Sequence, residues 1–292
     1  MVSAARMVLS RVDKLLAAYV VFVTFVIVAR GGVGEATAWL LGAHALFGCL
    51  LLLFTRLAPS ARIGSVVHDL YPLLLLLAFY TEIGFFSASA GADAVLRRDL
   101  VVQGWEQAIF GMQVSYEWIR RAPSVFWSGI LHLAYALYFP IVAAGPILLV
   151  ARGERDRAHR VLLSIMLAYV TCYVVFILWP VGGPNYAFEH PTGAVRDVWS
   201  ARMVYGMLGP GSAFGAAFPS SHVAATVAAV GTLWRERRRL ALVLLLPAVL
   251  LVVGTVYCQM HYAIDAVTGM AVGVAAVALP SLRFLRRTRP LP

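Results

Sequence analysis

The chain has 292 residues, of which 61% are hydrophobic and only 13% charged, and its mean hydropathy is +0.81. That balance excludes a soluble domain, and the lack of short segments alternating at period two excludes a membrane β-barrel, so an all-α polytopic bundle is predicted. The formal charge of +10 comes from arginines gathered beside apolar runs, where they act as topology signals, so no nucleic-acid partner is implied.

Eight apolar segments follow one another, at roughly Leu15–Val28, Ala36–Phe54, Gly64–Phe86, Phe126–Val150, Val161–Trp179, His222–Trp234, Leu240–Tyr257 and His261–Leu282. Runs of about twenty residues rising 1.5 Å each match a hydrocarbon core of about 30 Å. The first segment, preceded by Arg6, Arg11 and Lys14, is long for a signal peptide and is followed by further spans, so it reads as an uncleaved helix. The sixth is short and rich in Ala224, Ala225, Ala228, Ala229 and Gly231, which suits a helix packed inside the bundle. Cys49, Cys172 and Cys258 lie within apolar runs without paired spacing, so neither a disulfide framework nor a zinc site is predicted. The chain reads as one membrane domain over residues 1–292, with N-terminal helices to 86, an outer-face interfacial segment over 87–125 and a catalytic helical core over 126–285; about eight spans are expected, a six-helix catalytic core plus extra N-terminal helices.

The Ser87–Val125 connection mixes Asp93, Arg97, Arg98, Asp99, Glu106, Glu117, Arg120 and Arg121 with Trp105, Phe110, Tyr116 and Trp118. This composition predicts an interfacial helix with aromatic rings at headgroup depth, read as a membrane-surface cap, with a lid beside a lipid access path as the sharper alternative. With the N-terminus in the cytoplasm, eight spans place 17 of the 24 basic residues on the cytoplasmic side. Both termini are therefore expected there, in the plasma membrane, with the loop before Pro219 and the turn before His261 on the non-cytoplasmic face.

Those two places carry the chemistry. His261 and Asp265 are four apart, so on a helix they share a face, and a carboxylate bonded to one imidazole nitrogen leaves the other free as nucleophile or base. Pro219-Ser220-Ser221-His222 opens the sixth segment. A helix starting there offers backbone N–H groups and the Ser220 and Ser221 hydroxyls to a phosphate, with His222 in reach to protonate a leaving alkoxide. Glu82 and His132 read as lining a headgroup pocket or as partners in interhelical hydrogen bonds. His68 and Asp69 read as structural, and Tyr135, Tyr138 and Tyr173 as packing residues.

Ala217-Phe218-Pro219-Ser220-Ser221-His222 and Gly254-Thr255-Val256-Tyr257-Cys258-Gln259-Met260-His261-Tyr262-Ala263-Ile264-Asp265 resemble the second and third signatures of the phosphatidic acid phosphatase type 2 superfamily. Trp105-Glu106-Gln107-Ala108-Ile109-Phe110-Gly111, Tyr135-Ala136-Leu137-Tyr138 and Trp179-Pro180-Val181-Gly182-Gly183-Pro184-Asn185-Tyr186 look like its inositol phosphorylceramide synthase-like, or inositolphosphotransferase, branch. The resemblance runs from about Trp105 to Gly269. It implies a mechanism without metal or cofactor, in which His261 attacks phosphorus, Asp265 supports it, His222 protonates the leaving group and an acceptor releases the phosphohistidine.

Phosphatase members of the superfamily carry an arginine where this chain has Thr255, and related sequences often have one where Asn185 stands. A phosphomonoester approaches as a near-dianion, whereas a diester carries one charge, so the missing cations favour transfer of a phospho-headgroup from a phospholipid to an alcohol. Arg196 and Arg202 are candidate replacements at the phosphate. Two alternatives stand beside this reading: a lipid phosphate phosphatase of the phosphatidic acid or polyprenyl phosphate type, with water as acceptor, and a non-catalytic lipid carrier with the same fold.

Overall fold

The computed structural model describes residues 9–57, 62–211 and 214–287, so Arg6 and Arg289, counted above among the basic flanks, lie outside the described residues. Among the described residues the chain is helical, with two isolated β-bridges and no strand. Three N-terminal helices, α1 (Arg11–Ala29), α2 (Thr37–Leu57) and α3 (Arg62–Ala90), match the first three apolar segments. The polar connection folds as α4 (Ala92–Phe110) and α5 (Val114–Arg121). Next come α6 (Val125–Ala136), α7 (Tyr138–Ala151) and α8 (Arg155–Leu178). Two single-turn helices, α9 (Pro184–Ala187) and α10 (Ala194–Asp197), lead to α11 (Trp199–Gly211), and α12 (Ser221–Glu236), α13 (Arg238–Tyr257) and α14 (Ala263–Arg287) complete the chain.

Six of these helices, α1, α2, α3, α8, α13 and α14, carry windows long and apolar enough to cross a membrane. The fourth predicted segment is one run in the sequence but two helices in the fold, α6 and α7, bent by 46° at Leu137; counted as one span, the pair makes seven. The sixth segment is α12, which has only 16 residues and is about 24 Å long.

Helices α8 and α12 lie against each other at the centre, with α7 and α14 packed on both. Ala224, Ala225, Ala228 and Ala229 of α12 are fully buried, as the small-residue pattern predicts. The close approach is matched on α14: a Cβ on Gly269 would stand 2.4 Å from the Ser220 carbonyl oxygen, and one on Gly273 would stand 2.6 Å from that of Ala224. Backbone thus meets backbone at the start of α12, and this fixes its first turn against the first turns of α14.

Polar side chains inside the bundle are paired across helices. Glu82 of α3 accepts from the Tyr19 hydroxyl of α1 at 2.6 Å and lies 3.1 Å from His44 Nε2 of α2, so of the two readings given to Glu82 the interhelical bond is the one found. At the end of the bundle away from His222, Asp69 pairs with Arg155 at 3.0 Å and with His159 at 2.8 Å, while Asp13 sits 3.6 Å from His68 and accepts from Tyr71 at 2.6 Å. Glu154 and Glu236 at that same end are paired with Arg237, Arg157 and Arg160.

Candidate active site

Three segments far apart in the sequence meet at one end of the bundle. Val181, in the loop after α8, donates to the Gly215 carbonyl at 3.2 Å and accepts from Ala217 N at 3.0 Å, which lays the loop before α12 alongside it. Ser220 then caps α12, its hydroxyl accepting from Val223 N at 3.3 Å, and its own N–H donates to the Asp265 carbonyl at 3.0 Å. His222 is the second residue of the helix. The third segment is the turn after α13, where the Thr255 carbonyl accepts from both Met260 N at 3.0 Å and His261 N at 2.8 Å.

His261 and Asp265 come together in a way the helical spacing did not predict. The helix starts at Ala263, so His261 precedes it, and the two residues do not stack on one helical face. Asp265 is the third residue of α14 and folds back: its Oδ2 accepts from Tyr262 N at 2.8 Å, the reach of a capping carboxylate to the residue before the helix. The same Oδ2 lies 3.5 Å from His261 Nδ1. The shorter contact of Nδ1 is with the Ala217 carbonyl, at 3.0 Å. A carbonyl only accepts, so Nδ1 carries the proton and the neutral ring keeps its lone pair on Nε2. That Nε2 faces His222 Nδ1 at 3.3 Å.

His222 stacks on Tyr135 with ring centroids 5.0 Å apart and meets the Tyr138 ring at 4.2 Å. Both tyrosines belong to a cavity of about 240 Å³, which Ser221 and His222 line together with Tyr80, Tyr169, Tyr173 and apolar side chains of α3, α7 and α11. The Tyr138 and Tyr169 hydroxyls are hydrogen-bonded to each other in its wall. Among the described residues no Lys, Arg, Asp or Glu lines it, and its lining residues Leu77, Phe139 and Met207 are exposed.

Ser220, Ser221, His222, His261 and Asp265 are therefore brought together, with the Ser220 oxygen accepting the cap bond and its O–H left as a donor. Arg196 and Arg202 are not part of this cluster. They line an open cleft with Thr192, Asp197 and Tyr205, which shares no residue with the tyrosine cavity, and the Arg196 guanidinium lies 3.8 Å over the Tyr205 ring. Thr255 is fully buried, its hydroxyl bonded to the Val252 carbonyl.

The polar connection before α6 is bonded into the site. Asp99 accepts from Gly182 N at 2.8 Å, Gly183 N at 2.7 Å and the Tyr262 hydroxyl at 2.9 Å, and Glu106 accepts from Ser115 N and Ile264 N at 3.4 Å each. Burial pushes both carboxyls above the usual carboxylate range, against the pull of these donors. Arg120 of α5 donates at 2.7 Å to Gln259, the residue at φ 60° in the turn before His261. Sequence reading missed these partners because, Ser115 apart, they lie 83 to 163 residues from the side chains they bond, with only an unusual density of charge in residues 93–121 as a signal. The tyrosines were passed over because each alone reads as packing.

Among the described residues no group of three or more His, Cys, Asp or Glu side chains is arranged to hold a metal ion. Trp105 stacks on Trp179 at 5.6 Å and both pack on Phe218, so three of the quoted motifs surround one site. A sequence model described as the PAP2 superfamily matches residues 102–279, more than half of the chain. No curated protein and no solved structure matches it. The match takes in both histidine turns and the cavity lining apart from that of α3, and it accords with a lipid phosphatase or phosphotransferase; this multipass membrane protein belongs to the PAP2 superfamily.

Proposed function

We propose that the protein is a membrane-embedded lipid phosphotransferase that works through a phosphohistidine on His261. The observation that carries this reading is the bond from His261 Nδ1 to the Ala217 carbonyl at 3.0 Å, which directs the Nε2 lone pair toward His222. In the first step Nε2 attacks phosphorus, the bond from phosphorus to the leaving oxygen breaks, and His222 gives that oxygen its proton. In the second, an acceptor hydroxyl passes its proton to His222 and attacks phosphorus, the P–N bond breaks, and His261 is restored. Asp265 supports the imidazolium that develops. The first turn of α12, whose leading N–H groups have no partner within the helix, holds the phosphate oxygens with Ser221.

The cavity beside His222 is lined by hydroxyls and rings without a cation, and this favours a singly charged diester over a near-dianionic monoester. An alcohol acceptor then fits better than water, and the packing of Tyr135 and Tyr138 on His222 and of Trp105 and Trp179 on Phe218 supports the inositol phosphorylceramide synthase-like branch. Arg196 and Arg202 serve the approach of an anionic headgroup at the surface cleft. The distribution of basic residues supports a site on the non-cytoplasmic face of the plasma membrane, with both termini in the cytoplasm.

Purified protein given labelled phosphatidylinositol and a native lipid extract should yield a new phospholipid by mass spectrometry, with an acid-labile phosphoryl label on the protein. Free phosphate from labelled phosphatidic acid as the main product would favour the phosphatase. Turnover retained by His261→Ala would remove the mechanism.

A further inference from the structure

Asp99 of α4 is 1% exposed, and its hydrogen bonds reach both segments that hold the His261 ring. On one side are Gly182 and Gly183. They follow Val181, which exchanges backbone bonds with Gly215 and Ala217, and the Ala217 carbonyl is the acceptor for His261 Nδ1. The loop is glycine for a physical reason. A Cβ on Gly182 would lie 2.9 Å from Asp99 Oδ2, and Gly183, at φ +95°, would bring one within 2.8 Å of the Ala217 Cβ. On the other side is Tyr262, the residue after His261. Its hydroxyl donates to Asp99 at 2.9 Å and accepts from Gln103 at 2.9 Å, one turn further along α4.

We propose that Asp99 is a positioning residue for the nucleophile: by holding the Gly182–Gly183 loop and Tyr262 on two sides of His261, it sets the Ala217 carbonyl against Nδ1 and keeps the lone pair on Nε2. Three donors converge on the two carboxylate oxygens. An amide of the same shape offers one oxygen and would turn an NH2 group toward a backbone N–H, so a carboxylate is required where size alone would admit asparagine. Asp99 touches no reacting atom and moves no proton. The catalytic consequence rests on the proposed function, while the tautomer of His261 is a property of the protein by itself.

The test uses full-length protein in detergent with 15N-labelled histidine, the His261 signals being assigned by their loss in His261→Ala. In the wild type they should report a protonated Nδ1 and an unprotonated Nε2. In Asp99→Asn they should shift toward a mixture of tautomers, and kcat on the phospholipid that the wild type turns over should fall about 10- to 100-fold with KM little changed, the scale seen when a group that orients a metal-bound imidazole is removed. Tyr262→Phe, which keeps the glycine loop bonded, should give a smaller change in the same direction and serves if Asp99→Asn does not fold. Wild-type imidazole signals in a folded Asp99 or Tyr262 variant would overturn the inference, with or without turnover. If the wild type itself traps no phosphohistidine and makes no product, it is the phosphotransferase reading that fails, and the imidazole signals still decide the role of Asp99.

Discussion

His261 and His222 are chemically alike but differ in what holds them. Nδ1 of His261 is fixed by a backbone carbonyl, whereas His222 is held by ring contacts with Tyr135, Tyr138 and His261. Both His→Ala changes should abolish turnover in a folded protein, and they should differ in one respect. With a substrate whose leaving group departs without protonation, such as a nitrophenyl ester, His222→Ala should still trap phosphohistidine while His261→Ala should not. Ser220→Ala removes the cap on Val223 N and should cost about 1 kcal/mol of stability, read as a lower melting temperature in detergent. At the far end of the bundle, bonds from Arg237 and Arg157 hold the Glu154 carboxyl down from 4.5 to about 2. A carboxyl depressed in the folded state stabilises above its unfolded value and loses that contribution as pH falls through its folded one. The difference in melting temperature between wild type and Glu154→Gln should therefore be full at neutral pH and close between pH 4.5 and about 2.

At the level of elements, the contact between α12 and α14 carries the site, because each helix begins with one of the histidine turns. Gly269→Ala forces a methyl against the Ser220 carbonyl, a backbone atom that cannot swing aside. The helices must part, at about 1–3 kcal/mol for an overpacked contact, and His222 is carried away from His261. Activity measured below the melting transition should fall along with stability. Gly104→Ala, where the added methyl meets nothing within 4 Å, is the matched control and should leave both intact. Helix α4 stands in the same relation to the site as α14 does: its buried carboxylates tie the loop after α8 to the first turn of α14, which makes it a structural wall of the site.

Across the whole molecule, α1, α2, α3 and the first half of α4 precede the residues matched to the superfamily, yet α1 and α3 pack on α8 at the centre. Their cohesion depends on Glu82, which joins Tyr19 and His44 in a buried cluster. Removing a buried partner leaves the others unsatisfied, so Glu82→Ala should destabilise by about 1–3 kcal/mol. Because Tyr80 and Leu77 of the same helix line the cavity, loosening α3 should also weaken substrate binding, raising KM before kcat changes. A parallel thermal melt and a substrate titration separate the two effects.

The residues that must be apolar for about twenty positions, the serine before a helix and the two histidine turns are all local patterns, and each was legible because lipid and helix geometry act on neighbours in the chain. Local spacing also brought His261 and Asp265 together, but for the wrong reason: the helix begins two residues late, and capping rather than a shared face makes the contact. What only the tertiary structure decided are the partners that chain distance hides. The Ala217 carbonyl on Nδ1, Asp99 on the glycine loop and the tyrosine walls of α3, α6, α7 and α8 meet because α12 lies buried among the other helices. Arg196 and Arg202 show the converse, since sequence proximity to the site put them in view while α10 and α11 place them in another cleft. Propensity and hydropathy act along the chain, whereas the tautomer of one imidazole is set by which carbonyl the packing of the whole bundle brings to it.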